Sequence, residues 1–192
     1  MSSRTGNREK LLDELAEYRR FFEEAPFGLH SLDRNGNFLE VNQAWLNLTG
    51  YSRDDVLGRW FGEFLWPGEQ EKFRENFFRF KEAGVARGVE FTLRRKDGRP
   101  LVASVEGRVL HDEQGNFQRT LCILRDIGEQ RQHQRIQEAA LALSRLYLSD
   151  SSLENTLRDV PSILASHFRV PIAAVEIYDR EREEMVFTGA HG

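Results

Sequence analysis

The stretch "VNQAWLNLTGYSRDDVLGRW", residues 41–60, holds two helix starts and two helix stops in a span that a single helix normally fills. Asn42 stands where a short polar side chain accepts a backbone N–H and caps a helix over residues 43–48, and Gly50 supplies its left-handed stop. Ser52 caps a second short turn, with Asp55 three residues on as a short-armed capping box, and Gly58 closes it. Each small or polar residue therefore has a local structural use, and none is left over for chemistry. The stretch reads as scaffold.

On either side the pattern changes to period two. Three turns of the tight-hairpin kind stand out: "DRNGN" at 33–37, "KDGR" at 96–99 and "DEQGN" at 112–116. Between and around them run "GLHSLD", "FLEVN", "GVEFTLRR", "PLVASVEGRVL" and "FQRTLCILRDI". That gives five strands, two before the opening stretch and three after it. The intervening insert is rich in aromatic residues, from Trp45 to Phe80, and is suited to lie across one sheet face. "LCIL" at 121–124 is apolar at successive positions, so its strand is expected to be central and covered on both faces. The cover for the second face is expected from the helix bearing Leu11, Leu15, Tyr18 and Phe22, whose spacings of 4, 3 and 4 put them on one side, joined by its copy from a second subunit. The fold class is α+β.

Composition narrows the functional classes. The chain has 192 residues, 40% of them hydrophobic and 30% charged, the balance of a globular protein. A net charge of −4 with interspersed signs offers no basic field for nucleic acid or an anionic membrane. No apolar run is long enough for a membrane helix, and the single cysteine, Cys122, fits a reducing compartment, so a cytoplasmic protein is expected. His30, His111, His133, His167 and His191 show no metal-ligand spacing, and no metal site is expected. Neither a nucleophile–base set, nor a phosphate-cradling glycine loop, nor paired carboxylates can be picked out, so no enzyme is expected on this chain.

Asn42, Ala44, Thr49, Gly50, Tyr51, Ser52, Asp55 and Gly58 fall on the pattern N-x-A-x-x-x-x-T-G-Y-S-x-x-[ED]-x-x-G, which resembles PAS domains. "WPGEQEKF" at 66–73 is similar to that family's H-P-x-D-x-x-x-F helix start, "RRKDGRPLVASVEG" resembles its second hairpin, and "RDIGEQRQ" at 125–132 resembles its closing D-I-T-E-x-K motif. Trp66 stands where His is usual, and Gly128 where Thr is usual, which implies a looser junction between sheet and exit helix. The resemblance implies a PAS fold, a five-stranded antiparallel sheet with a helical insert, flanked by an N-terminal amphipathic helix and a C-terminal signalling helix. It divides the chain into an entry helix (1–24), a PAS domain (25–127), a signalling helix (128–149) and a remainder (150–192) that resembles the opening third of a GAF domain.

Beyond the sheet, Asp126 is placed to cap the exit helix, and Ile136, Ala139, Leu143 and Leu146 step 3, 4, 3 as a heptad seam. In the family's register Trp45, Trp60, Phe64, Phe73, Phe77, Phe91, Leu93, Val105, Cys122 and Leu124 form the inner set, either a filled core or the wall of a cavity for an apolar or aromatic small molecule. Leu121 and Ile123 would face the N-terminal helix. Leu11, Leu15, Tyr18, Phe22, Leu121, Ile123, Asp126, Ile136, Ala139 and Leu143 would then carry dimerisation and relay. Residues 69–81 lack the His that the family's haem sites use, and residues 42–65 lack the Cys of its covalent flavin photosensors. No cofactor is assigned, noncovalent flavin remaining a lesser alternative. The resemblance implies a dimeric sensory module relaying a signal to downstream GAF and output domains, a histidine kinase or cyclic dinucleotide enzyme. The alternative is a ligand-free dimerisation spacer.

Overall fold

The alternating residues around the three glycine turns close into one antiparallel sheet in the computed structural model, which describes residues 2–148, 153–180 and 182–192. The strands are β1 (Gly28–Leu32), β2 (Phe38–Val41), β3 (Val85–Arg94), β4 (Pro100–His111) and β5 (Phe117–Asp126), in the order β2-β1-β5-β4-β3. β5 is therefore the middle strand, as its continuous apolar run predicts. In register, His30 pairs with Cys122 and Val105 with Leu124. Thr120, Cys122 and Leu124 point inward and are buried; Leu121 and Ile123 lie on the other face.

The insert comprises α2 (Gln43–Thr49), α3 (Arg53–Val56), a 3-10 turn (Phe61–Phe64) and α4 (Gln70–Ala83). Its caps follow the sequence. Asn42 accepts from the Trp45 N–H, Gly50 ends α2 at φ 77°, and Ser52 and Asp55 form the reciprocal box at the start of α3. Lys96 donates to the Asp55 carboxylate at 2.7 Å, and this bond, with those from Ser52, holds its pKa well below the usual carboxylate range. The insert also closes both sheet edges. The Phe38 N–H donates to the Arg59 carbonyl on the β2 side, and the Trp66 N–H to the Thr92 carbonyl on the β3 side.

α2 can approach the sheet closely because Gly28 lies beneath it. A Cβ at Gly28 would stand 3.2 Å from both the Trp45 Cα and the Leu124 carbonyl oxygen. Trp45, Phe38, Phe64, Leu93 and Leu124 fill the space around this crossing and are almost wholly buried.

The entry helix α1 (Ser2–Glu24) departs from expectation. Leu11, Leu15, Tyr18 and Phe21 are exposed, at 60%, 52%, 58% and 72%, and Leu121 on the outer sheet face is 40% exposed. Within one chain α1 therefore does not cover that face. What anchors α1 instead is its C-terminal end: the Phe22 carbonyl accepts from Asn42, and Glu23 pairs with Arg53 at 2.9 Å. Burial follows the polar anchor, and the apolar stripe is left exposed.

The chain divides into two units, residues 1–128 and 129–192. The second contains most of α5 (Gly128–Tyr147), together with α6 (Leu153–Phe168) and an antiparallel hairpin of β6 (Ala173–Asp179) and β7 (Glu184–His191). α6 packs on both strands, and a Cβ at Gly189 would come within 3.0 Å of the Arg158 backbone. The polar run 149–152, read as the end of the signalling helix and the start of the next segment, lies outside the described residues.

Asn42 offers a test of this arrangement. At an ordinary N-cap Asn and Asp are interchangeable. Here the amide also donates to the Phe22 and Phe27 carbonyls at 2.9 and 3.0 Å, which a carboxylate would repel. Asn42→Asp is expected to cost about 2–4 kcal/mol in urea denaturation, as buried polar groups lose their partners. A near-neutral result would mean that the two donations carry no weight.

Candidate functional site

Aromatic residues brought by the insert meet the inner face of β1, β5, β4 and β3. Four rings run in one stack: His30 on Phe61 at 5.4 Å between centroids, Phe61 on Phe73 at 4.8 Å, and Phe73 on Phe77 at 5.3 Å. Phe91 stands edge-on to Phe61 and Phe73, the geometry that aromatic quadrupoles favour. Beside this stack lies a cavity of about 30 Å³, walled chiefly by His30, Phe61, Phe73, Phe77, Phe91 and Cys122, with Leu32, Asn76, Phe80, Ala86, Val89 and Val105 completing it.

The residues expected to line one inner space fall into two groups. Phe73, Phe77, Phe91, Val105 and Cys122 wall the cavity. Trp45, Phe64, Leu93 and Leu124 lie in the filled part of the core, with Trp45 edge-on to Phe64 at 6.2 Å. Trp60 is half-buried at the surface end of the stack, 5.8 Å from Phe73 with the Arg74 guanidinium over its indole. Of the relay set, Leu11, Leu15, Tyr18, Leu121 and Ile136 are exposed, Phe22, Ile123 and Leu143 are half-buried, and Ala139 is buried. Asp126 accepts from the Gly128 N–H at 2.8 Å and from Arg95 at 2.9 Å, and the other arm of the Arg95 fork donates to the Leu48 carbonyl.

Sequence reasoning missed His30, Leu32, Phe61, Phe80, Asn76 and Ala86 as lining residues. The available signal for His30 was its place in "GLHSL", two residues from Gly28 and Leu32 on the inward side of a strand. His30 is 1% exposed, and its Nδ1 has no hydrogen-bond partner. Burial pushes its pKa from 6.5 down to about 3, so the ring is neutral. Ser31 Oγ and Trp45 Nε1 are also buried without partners, but neither residue lines the cavity. Burial pushes the Cys122 thiol up to about 11, opposed by a hydrogen bond from Thr120, so it is an unreactive wall group. Among the described residues no group of three His, Cys, Asp or Glu side chains is placed to hold a metal.

The buried histidine makes stability depend on pH. Its folded pKa lies below that of the unfolded chain, so unfolding takes up a proton: the contribution is full above pH 6.5 and is lost as pH falls towards 3. Chemical denaturation between pH 7 and pH 4 is expected to show a loss of about 3 kcal/mol from this group, absent in His30→Leu. The carboxylates with lowered pKa, Asp33, Asp55, Glu63, Asp97 and Asp112, begin to lose their contribution only at the acid end of this interval, and that share is common to the wild type and His30→Leu. Equal losses in both proteins over this interval would remove His30 as the cause.

A family model described as a PAS domain matches residues 26–129, more than half of the chain. The PAS domain of an HTR-like protein from Haloarcula marismortui is 30% identical; the match covers 64% of this chain and 99% of that one, with a TM-score of 0.51. A domain of a sensory box sensor histidine kinase/response regulator from Geobacter sulfurreducens is 28% identical over 60% of this chain and 96% of its own, also with a TM-score of 0.51. The C4-dicarboxylate transport sensor protein DctS of Rhodobacter capsulatus is 26% identical over 88% of this chain, which spans only 26% of that protein. With a family model matching more than half of its residues and solved PAS domains sharing its fold, the chain belongs to the PAS domain family.

Proposed function

We propose that this chain is the sensory module of a signal-transduction protein, that it pairs with a second copy of itself, and that it passes a bias from its core through α5 to a downstream GAF domain and output domain. The observation that carries the reading is the apolar surface left uncovered on the first unit. Leu11, Leu12, Leu15, Tyr18 and Phe21 form a contiguous exposed run on α1, and Leu121 is exposed on the outer face of β5. A surface of this kind on a soluble protein marks an interaction site. A second copy is the occupant whose own stripe matches it. α5 adds exposed Ile136 and Leu141.

The relay follows from the position of β5. Its inner residues wall the cavity, its outer residues present the uncovered face, and its last residue holds the first N–H of α5. An event in the core would bias the pairing of the helices by as much as it favours one arrangement, a tenfold bias requiring about 1.4 kcal/mol. The sensor proteins among the relatives support an output of the histidine-kinase type, a cyclic dinucleotide enzyme being the other candidate by family analogy. The helix-plus-hairpin arrangement of α6, β6 and β7 supports reading residues 150–192 as the start of a GAF domain. We place the protein in the cytoplasm from its single buried thiol; among the described residues no helix is long and apolar enough to cross a membrane.

The second reading, a dimerisation spacer whose core holds no ligand, is favoured by the filled half of the core around Trp45. Flavin is disfavoured by size, since drug-sized ligands occupy about 300–1,000 Å³ and the cavity is about 30 Å³. A C4-dicarboxylate, for which the DctS relative is named, is likewise too large, and its two charges find no cation among the lining residues.

Sedimentation velocity tests the pairing. The wild-type chain is expected to sediment as a dimer and the double variant Leu15→Asp, Ile136→Asp as a monomer. A variant that stays dimeric would place the interface elsewhere and take the relay with it.

A further inference from the structure

Helix α4 does not divide simply into a buried side and a polar side. Phe73, Phe77 and Phe80 are buried, but Phe78 on the neighbouring face is 58% exposed. At 3.6 residues per turn Arg74 and Lys81 flank Phe78 on the side next to the core, whereas Glu75 and Glu82 fall on its far side. The turn at 33–37 closes over the cationic side. A Cβ at Gly36 would come 3.3 Å from the Phe73 ring and from the Trp60 Nε1, so the turn rests directly on those two rings. The Lys81 ammonium donates to the Arg34 carbonyl at 3.1 Å. Between turn and helix runs a surface groove of about 370 Å³, with Trp60, Phe73 and Phe77 as its floor and Arg34, Asn35, Arg74, Phe78 and Lys81 around them.

Three cations and no carboxylate line this groove. Arg74 is matched by Glu71 at 2.9 Å, with its guanidinium over the Trp60 indole. Lys81 meets only a carbonyl and the face of Phe77, and among the described residues the Arg34 guanidinium has no partner. The carboxylate of Asp33 is taken up within its own turn by the Asn35 and Asn37 N–H groups. In a chain of net charge −4, Arg34 and Lys81 are thus left unmatched beside exposed and half-exposed aromatic rings.

From this complementarity of charge and surface we propose that the groove docks a short acidic segment of a partner protein, one that carries an aromatic or leucine side chain among its carboxylates. The apolar side chain packs on Phe78 and Trp60, and the flanking carboxylates reach Arg34 and Lys81. Aromatic residues and arginine are the types that interfaces enrich and that carry most of their binding energy. A small molecule would be covered on one side only, since Arg34, Asn35, Arg74 and Phe78 are exposed, whereas ligand pockets enclose most of their guest. A long polyanion such as a nucleic acid runs past the groove onto Glu71, Glu75 and Glu82 of the same helix, which repel its phosphates. The proposal depends neither on the sensory reading of the core nor on pairing through α1.

The test is an NMR titration of the isotope-labelled 192-residue chain with the blocked peptide Glu-Asp-Glu-Phe-Leu-Asp-Glu-Glu. Saturable shifts of the Arg34, Asn35, Phe78 and Lys81 amides and of the Trp60 indole N–H are expected, with the Leu121 and Ile136 amides unmoved. A Kd of about 10–500 µM suits so small a contact. Added salt weakens it, by about three- to tenfold between about 50 and about 300 mM NaCl. The peptide with every carboxylate replaced by its amide, and the peptide with Ala for Phe and Leu, are each expected to bind at least about tenfold more weakly.

The double variant Arg34→Glu, Phe78→Ser changes two exposed side chains, so it is expected to keep the wild-type urea midpoint while losing the peptide response. Arg79→Glu makes the same change of charge on α4 outside the groove, and is expected to bind as the wild type does. Absence of a saturable shift, equal binding of the amide peptide, or a loss in Arg79→Glu as large as in the groove variant would each overturn the proposal. Tighter binding of single-stranded oligothymidylate than of the peptide would overturn it in favour of nucleic acid. A wild-type dimer that the groove variant turns into a monomer would overturn it in favour of a contact between copies. Failure of Leu15→Asp, Ile136→Asp to break the dimer leaves all of these readouts untouched.

Discussion

The buried Asn42 amide is the constraint on which the rest of the first unit depends. Its Oδ1 accepts from the Leu29 and Trp45 N–H groups, at 2.8 and 3.0 Å, and its Nδ2 donates to the Phe22 and Phe27 carbonyls. Four backbone segments thus converge on one side chain with no exposed surface: the end of α1, the loop after it, the first strand and the first helix of the insert. A fully satisfied buried amide costs little, whereas a partly satisfied one costs much, so the four segments are fixed together or not at all. Arg53 adds a brace outside the hub, donating to the Val41 carbonyl at 2.7 Å and pairing with Glu23. That ion pair is partly exposed and contributes on the order of 1 kcal/mol or less. The hub therefore sets the geometry and the ion pair steadies it.

Once α2 is fixed, the core divides by how closely the insert lies on the sheet. Over Gly28 there is no side chain between α2 and β1, and Trp45, Phe38 and Phe64 are almost wholly buried around the crossing. At the other end the register of β3 against β4 slips between Ala86 and Val89, where Gly88 takes φ 60°. A bulge of this kind bends its strand locally. Ala86 and Val89, the residues flanking it, are both cavity-lining. One half of the sheet is filled, and the bulged half keeps a small space beside His30.

What could be read from the sequence was what local chemistry controls. Asn42, Gly50, Ser52 and Asp55 announce their caps because capping is decided within four residues, and the three glycine turns announce five strands for the same reason. The central place of β5 was legible from its consecutive apolar residues, although within one chain the outer pair is not covered, Leu121 being exposed and Ile123 half-buried. The division of the inner aromatic set was not, since Trp45 and Phe73 look alike in sequence and differ only in what the bulge and Gly28 do to the space around them. His30 was passed over because a lone histidine on an apolar strand has no local mark of being unpartnered. The stripe on α1 was legible as a stripe, but its target was not: spacing shows that a face is apolar and leaves open which chain covers it.

The route from cavity to exit helix can be followed along one strand. Cys122 walls the cavity and pairs with His30, and four residues later Asp126 holds the Gly128 N–H at the start of α5. The same carboxylate takes one arm of Arg95, whose other arm holds the carbonyl of Leu48 at the end of α2. Asp126 is thus where the middle strand, the insert and the exit helix meet. Its carboxylate and the Arg95 guanidinium are partly open to solvent, so their pairing is weak enough to be remade without unfolding anything. At Gly128 the position carries no side chain, so this N–H···Oδ1 bond at 2.8 Å, rather than packing, orients the first turn.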